Sequence, residues 1–466
     1  MTYNKIITLF ILIFSIDAFA LPIDWNGTIG FDTNIISNVR RTTDSCTTSN
    51  DSYCVKDDNE NARYQSFIFK LNPTIVINDS ASLKGEISTG SIRGGFTGED
   101  TEVENGSYYS QSTGGNSTLT ANQLYLELYA DTALYRFGKY AKGFGLGGFI
   151  NKGDNSWDRY FSVYDGFEAE FKLGKFTLTP IYSRLASPTN GAGPYSGKYD
   201  TIETAITGVY VDPNKNFEFG IYYGIRETET NSDLYGNNTG PNNVTLIDVY
   251  FKKSWEKFGF GLEVPMLSGD VGTTYGTASQ EDIDTNAFIF ESYYDFSSKW
   301  RLGLDAGSVK GEDGEEEVNV MYLHPNYRIA EIMFRYNLSG FQNTNQNIFN
   351  SSINNANYAK LYTRYKSDEW QWNIAVIMAK ANEVASNGDE FYNHESNTYN
   401  TATEDQEDDL GMEFDVSFDY QWNPNIYVSG FLGYYQVGEF YEFTNGNDDI
   451  GVENITASGF RLSVDF

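Results

Sequence analysis

Apolar and polar side chains alternate along most of this chain with the two-residue period of a β-strand. Such segments begin roughly every 15 to 25 residues. They fall at about 23–36, 64–77, 82–93, 120–130, 134–142, 159–171, 176–186, 201–211, 217–228 and 244–253. They continue at about 258–267, 285–295, 299–310, 317–324, 331–341, 357–366, 370–384, 410–422, 426–440 and 455–466. In the last of them Phe460, Leu462, Val464 and Phe466 point one way, and Arg461, Ser463 and Asp465 the other. That pattern fits a half-buried strand of a soluble sandwich or a lipid-facing strand of a barrel.

The connections separate the two. Every second one is short and built of turn formers: Asn78 to Ala81, Asp131 to Thr132, Asp212 to Asn216, Ser254 to Lys257, Asp295 to Lys299, Ser367 to Glu369 and Asn423 to Asn425. Those between are long and polar, at 37–63, 94–119, 143–158, 187–200, 229–243, 268–284, 342–356, 385–409 and 441–454. A sandwich has no reason to alternate so strictly, whereas outer-membrane barrels carry short periplasmic turns and long extracellular loops. Trp25, Trp255, Trp300, Trp370, Trp372 and Trp422 all sit at short-turn strand ends, with Trp157 on the other side. Tryptophan collects at membrane interfaces in this way.

The expected fold is therefore all-β: one transmembrane antiparallel up-and-down β-barrel over residues 21–466. It has 20 strands if Val318–Ser339 is a strand pair turning at Pro325, and 18 if it is not. Pro73, Pro180 and Pro265 lie inside strands, where each removes a ladder hydrogen bond and is expected to mark a bulge.

Composition adds the setting. Lys5, the apolar run 6–16 and Ala18-Phe19-Ala20 read as a secretory signal peptide, so residues 1–20 are expected to be removed. Beyond it no apolar run approaches the roughly 20 residues a spanning helix needs. The chain holds 33 Phe, 35 Tyr, 7 Trp and 44 Gly at a mean hydropathy of −0.45, which favours many short strands over helices. Strands begin near residue 23, so no N-terminal plug domain is expected. Cys46 and Cys54 are expected to form a disulfide within one loop. A net charge of −32 argues against nucleic acid as a partner and, with a pI near 4.3, leads to an expected weak cation preference.

Sorting strands by face puts Leu124, Leu126 and Leu128 toward lipid with Gln123, Tyr125 and Glu127 inside. Met412, Phe414, Val416, Phe418 and Tyr420 face out, opposite Glu413, Asp415, Ser417, Asp419 and Gln421. Ile332, Phe334 and Tyr336 are likewise placed outward, opposite Arg335. The candidate basic members of the inner wall are Arg136, Arg226, Lys252, Arg335, Lys360, Arg364 and Arg461. The acidic ones are Glu127, Glu168, Glu170, Glu218, Asp248, Asp305, Asp415 and Asp419. A polar interior in so wide a barrel implies a water-filled passage for small hydrophilic solutes or ions. Its charges either set a transverse field or pair with one another and merely hydrate the lumen.

Acid is concentrated in the loops, at Glu99 to Glu104, at Glu312 to Glu317 and between Asp389 and Asp409. These are candidate weak Ca²⁺ sites, although the spacing of a calcium loop is missing, and no other cofactor or metal is expected. Loop 94–119 is long enough to fold inward as a constriction or to stay external.

Two stretches carry a resemblance. Tyr125–Phe149, with Leu134-Tyr-Arg-Phe-Gly-Lys-Tyr140 and a Gly-rich loop, and Asp158–Ser183, with Tyr164-Asp-Gly-Phe167, resemble the alginate-export and related porin-like barrels of Gram-negative outer membranes. The resemblance implies a passive diffusion channel of about 18 strands, with Arg136, Lys139 and Asp165 at the family's charged motif positions. That family's alginate exporter has a positively charged lumen, unlike the mixed set here. The end at Phe466 also resembles the signature read by the barrel-assembly machinery, which joins outer-membrane lipid and lipopolysaccharide as an expected partner. The oligomeric state is left open.

An outer-membrane hydrolase is the competing class, and it would need a histidine beside a nucleophile or acid. His324 lies by Pro325, and His394 lies in a loop near Ser396, and no nucleophile motif accompanies either. The chain is therefore expected not to be an enzyme. A surface scaffold or adhesin barrel would use the same strands.

Overall fold

The period-two alternation becomes eighteen long antiparallel strands in a computed structural model that describes residues 22–38, 61–89, 93–96, 101–102, 111–112, 119–186, 200–228, 242–272, 281–312, 317–336, 348–349, 351–393, 398–443 and 453–466. They are β1 (Ile23–Ile36), β2 (Ala62–Asn78), β3 (Ala81–Thr89), β4 (Leu119–Tyr129), β5 (Ala133–Ala141) and β6 (Val163–Leu173). Next come β7 (Phe176–Ala186), β8 (Asp200–Asp212), β9 (Phe217–Thr228), β10 (Asn242–Ser254), β11 (Phe258–Gly272) and β12 (Glu281–Asp295). The last six are β13 (Trp300–Val309), β14 (Ala356–Lys366), β15 (Trp370–Lys380), β16 (Asp409–Asn423), β17 (Ile426–Val437) and β18 (Ile455–Asp465). Each pairs with the next, and β1 also pairs with β18 from Thr28 opposite Asp465 to Ile36 opposite Ala457. The wall is closed and has no free edge, the only sheet arrangement that hydrocarbon tolerates.

The partition is inside-out relative to a soluble protein. Ile374, Val416 and Leu432 lie in one cross-strand row and are 53%, 39% and 64% exposed on the outer face. On the inner face Asp32, Ser66, Glu168, Asp248, Glu263 and Glu413 are buried. Such a wall is stable only in lipid. Ile374→Arg is therefore expected to cost about 2–4 kcal/mol in denaturant unfolding of the lipid-inserted barrel. An unchanged unfolding midpoint would place Ile374 in water.

The six tryptophans at short-turn ends are all exposed outward. Trp370 stacks with Trp372 at 5.9 Å and lies 4.5 Å from the Tyr420 ring, and Trp300 lies 4.8 Å from Tyr365. At the seam Phe466 exchanges two backbone hydrogen bonds with Gly27, at 2.8 and 2.9 Å. A Cβ on Gly27 would stand 2.5 Å from the Phe466 ring, so the terminal aromatic needs glycine beside it.

Two expectations are corrected. The three prolines shift no register: pairing lapses at each and resumes in phase, as between Leu71–Ile87 and Thr74–Lys84, Leu178–Phe171 and Ile181–Glu168, and Glu263–Ile289 and Met266–Asn286. The bulges lie elsewhere, including Glu86/Ile87 and Ala379/Lys380. Second, 317–324 and 331–336 are not wall strands. Apart from one bridge between Val318 and Ile283, they run as irregular chain inside the barrel, which fixes the wall at eighteen strands. Ile332 and Tyr336, expected to face lipid, are 0% and 5% exposed within the lumen. Residues 1–20, Cys46, Cys54 and His394 lie outside the described residues.

The hydrophobic core is accordingly inside the barrel. Met321, Leu323, Ile329, Ile332, Met333 and Ile353 pack against inward residues of β12 to β17, among them Ile289, Tyr358, Ile377 and Phe431. A second cluster joins Phe144 and Ile150 to Tyr140, Tyr164, Tyr222 and Tyr250 on the opposite arc.

Candidate functional site: a lumen crossed by two loops

Two long connections fold into the bore. The first, residues 142–162, links β5 to β6 and spans the barrel from β2 to β11, nine strands apart in a ring of eighteen and so diametrically opposed. Its far end is held by one carboxylate. Glu263 accepts the backbone N–H groups of Leu146, Gly148 (3.5 Å) and Phe149 (3.1 Å). Three amides within four residues converge on one carboxyl group because Gly145 and Gly147 adopt φ of +64° and +81°. The Lys252 ammonium donates to the Gly145 carbonyl at 2.6 Å and completes the anchor.

The near end is held by cations. Lys70 donates to the Asn155 carbonyl at 2.7 Å. Arg93 forms a fork with Glu86 (2.7 Å on both arms) and donates to the carbonyls of Gly153 and Asp158 at 2.8 and 3.2 Å. Arg159 donates to Ser66 Oγ at 2.6 Å and to the Phe67 carbonyl at 3.2 Å. Trp157 lies inside the bore beneath the Arg461 guanidinium, 5.4 Å away, rather than at an interface.

The second inward loop, within residues 310–355 between β13 and β14, repeats the device. Glu413 on β16 accepts the N–H groups of Glu331 (3.0 Å), Ile332 (2.7 Å) and Met333 (2.7 Å), and Asp415 also accepts from Glu331 at 3.0 Å. The next residue, Phe334, holds φ of +59°, an uncommon conformation for a bulky side chain that persists only where surroundings impose it. The two loops touch where His324 N–H donates to the Gly148 carbonyl and Asn326 Nδ2 to the Tyr160 carbonyl, both at 2.7 Å. They form one partition across the lumen.

Most of the pore-lining residues expected from the sequence face inward, yet they divide into two populations. Along β3 to β10 they are paired, except Asp248 on β10, whose buried carboxylate has no hydrogen-bond partner among the described residues. Glu127 bridges Lys84 (2.6 Å) and Arg136 (2.8 Å), and Arg136 reaches on to Glu168 and Glu170. Arg226 meets Glu203 at 2.8 Å and Lys252 meets Glu218 at 3.9 Å. Asp305 and Lys360 face each other across β13 and β14, with Arg364 nearer the turns. Asp415 lies under the second loop, and Asp419 meets Gln371 at 3.3 Å. Arg335 stands in the lumen on the second loop rather than on the wall, pairing with Glu331. Lys139 and Asp165, matched in the resemblance, are cross-strand neighbours on the outer face.

The partition gathers arginines. Arg335 and Arg461 lie over the Phe431 ring at 4.6 and 5.5 Å, and Arg159 lies over Phe349 at 4.1 Å. Arg461 stands 4.0 Å from Asp32. Arg328 has no carboxylate at ion-pair distance among the described residues, and burial and the neighbouring Arg335 push its pKa down to about 10, leaving it charged at neutral pH. His324 is pushed down to about 4 by burial and by Arg328 and Arg93, so its neutral ring accepts the Asn326 N–H at 3.2 Å. Its ring is engaged within its own turn. Among the described residues no three His, Cys, Asp or Glu side chains converge as a metal site.

Glu263, Arg93, Arg159 and Arg328 escaped the sequence reading. Of loop 94–119, Gly94–Phe96 pairs with β2, and most of the rest lies outside the described residues.

No protein-family model matches the chain, and no curated protein does. Solved structures match the fold. OccK2 (OpdF) of Pseudomonas aeruginosa, in complex with glucuronate, is 12% identical over 95% of this chain and 96% of its own, with a TM-score of 0.50. A BenF-like porin from Pseudomonas fluorescens Pf-5 is 11% identical over 95% and 98%, also at 0.50. The shared fold is that of outer-membrane porins, and the likeness gives no support to the alginate-export resemblance.

Proposed function

We propose that this chain is an integral outer-membrane channel through which small hydrophilic solutes diffuse passively. The observation that carries it is the partition itself: a closed wall apolar outside and charged inside, narrowed by two pinned loops rather than filled by a separate domain. Nothing in that arrangement couples passage to energy. The interface belt fits the membrane setting, and Phe466 fits recognition by the assembly machinery. Solute charge follows from the partition. Arg159, Arg335 and Arg461 beside aromatic rings, together with Arg328, favour small organic anions, in place of the weak cation preference expected from net charge. The glucuronate bound by OccK2 belongs to that class.

Liposome swelling tests this. Proteoliposomes in iso-osmotic small sugar acids should swell faster than empty vesicles and faster than with matched neutral sugars, and should not swell in large oligosaccharides. Swelling rates equal to those of empty vesicles would return the chain to the scaffold class.

A further inference from the structure

Below the partition, the turn-side mouth holds a pocket of about 470 Å³ where the turns after β10, β12 and β14 meet. Its lining carries five cations, Lys257, Lys299, Arg301, Arg364 and Lys366, against two carboxylates, Glu256 and Asp295. Arg301 is already committed: it forks onto Asp295 at 2.6 and 2.9 Å and lies 3.7 Å over the Tyr293 ring. Among the described residues the other four cations have no carboxylate within ion-pair distance. In a chain with a net charge of −32, this is a local inversion of sign.

Four cations around one small volume repel one another, and the repulsion is relieved in proportion to the charge of whatever sits among them. A monovalent acid would neutralise one cation and still face Glu256. A ligand with several oxyanions would satisfy the Arg364 fork and the mobile lysine ammoniums together. We propose that this pocket binds multivalent small oxyanions, phosphorylated or polycarboxylate solutes, at the periplasmic mouth. The proposal rests on the channel reading, because the pocket is reached through the bore or from the periplasm.

Inorganic tripolyphosphate is the probe, applied to the purified full chain in a planar bilayer with known orientation. Added on the turn side, it should reduce the single-channel current in a concentration-dependent way. Added on the loop side at the same concentration, it should act weakly, because the narrowed partition lies between that side and the pocket. Arg364→Gln with Lys366→Gln should weaken the turn-side block about tenfold or more, as expected for losing two charge-assisted contacts. Lys172→Gln, an exposed lysine elsewhere on the same rim, should leave it unchanged. Heat-modifiable gel migration establishes that each variant is folded. Conductance steps without a turn-side block, or a block unaltered by the double substitution, would overturn the site and leave the channel standing. Absent steps would overturn the channel reading itself.

Discussion

Glu413→Ala is expected to turn a small, quiet conductance into a larger, flickering one, while the barrel still folds. Two consecutive amides, Ile332 and Met333, lose their only acceptor in that variant, and Glu331 keeps Asp415 alone. Each buried amide left unpaired costs about 1–3 kcal/mol. The loop recovers this cost by leaving the wall, where water satisfies the amides. Burial of Ile332, Met333, Leu323 and Ile353 pulls it back. Opposing terms of similar size predict exchange between docked and released states, hence flicker. The wall is spared because the ladders of β16 to β15 and β17 use backbone groups alone. Glu413→Gln keeps one acceptor oxygen and should lie between wild type and alanine. A conductance indistinguishable from wild type in Glu413→Ala would show that the amides do not hold the loop.

Glu263→Ala should act differently, on the size limit more than on noise. The far end of the first inward loop would keep only the Lys252 and His324 contacts, while Arg93, Arg159 and Lys70 hold the near end intact. The crossing then becomes a flap hinged on the β2 side. Oligosaccharides excluded by the wild type should enter in liposome swelling, while uptake of the smallest solutes changes little. An unchanged exclusion limit would mean that the passage does not run beside this loop. Both variants also leave a wall cation or acid without its former neighbour, so folded barrel content by heat-modifiable migration belongs with each measurement.

The wall was almost fully legible because a barrel strand writes its two environments into alternate residues, and the turns and tryptophans mark one rim. The interior was not. Segment 317–324 alternates because it buries every other side chain, Asn319, Met321 and Leu323, the same cause that makes a strand alternate, whereas over 329–336 neighbours such as Ile332 and Met333 are both buried. Periodicity reports a two-sided environment and is silent about which sheet, if any, supplies hydrogen bonds. One signal was available: on β15, Ala375, Ile377 and Ala379 face inward and are buried although Ile374 and Met378 on the other face meet lipid. A barrel strand apolar on both faces must have its inner face covered. For the first loop, glycines at 143, 145, 147 and 148 signalled a close backbone approach, but Glu263 comes from a strand more than a hundred residues away. Proline misled for a related reason. A missing N–H does not require an extra residue, because the strands skip the pairing there and continue in register.

Single-channel recording on the purified, folded wild-type chain tests the central claim most directly. The account predicts discrete current steps, well below those of an unobstructed barrel of the same strand number, and a reversal potential in a salt gradient that favours anions. A folded barrel that inserts and gives no steps, or steps with a reversal potential favouring cations, would contradict it.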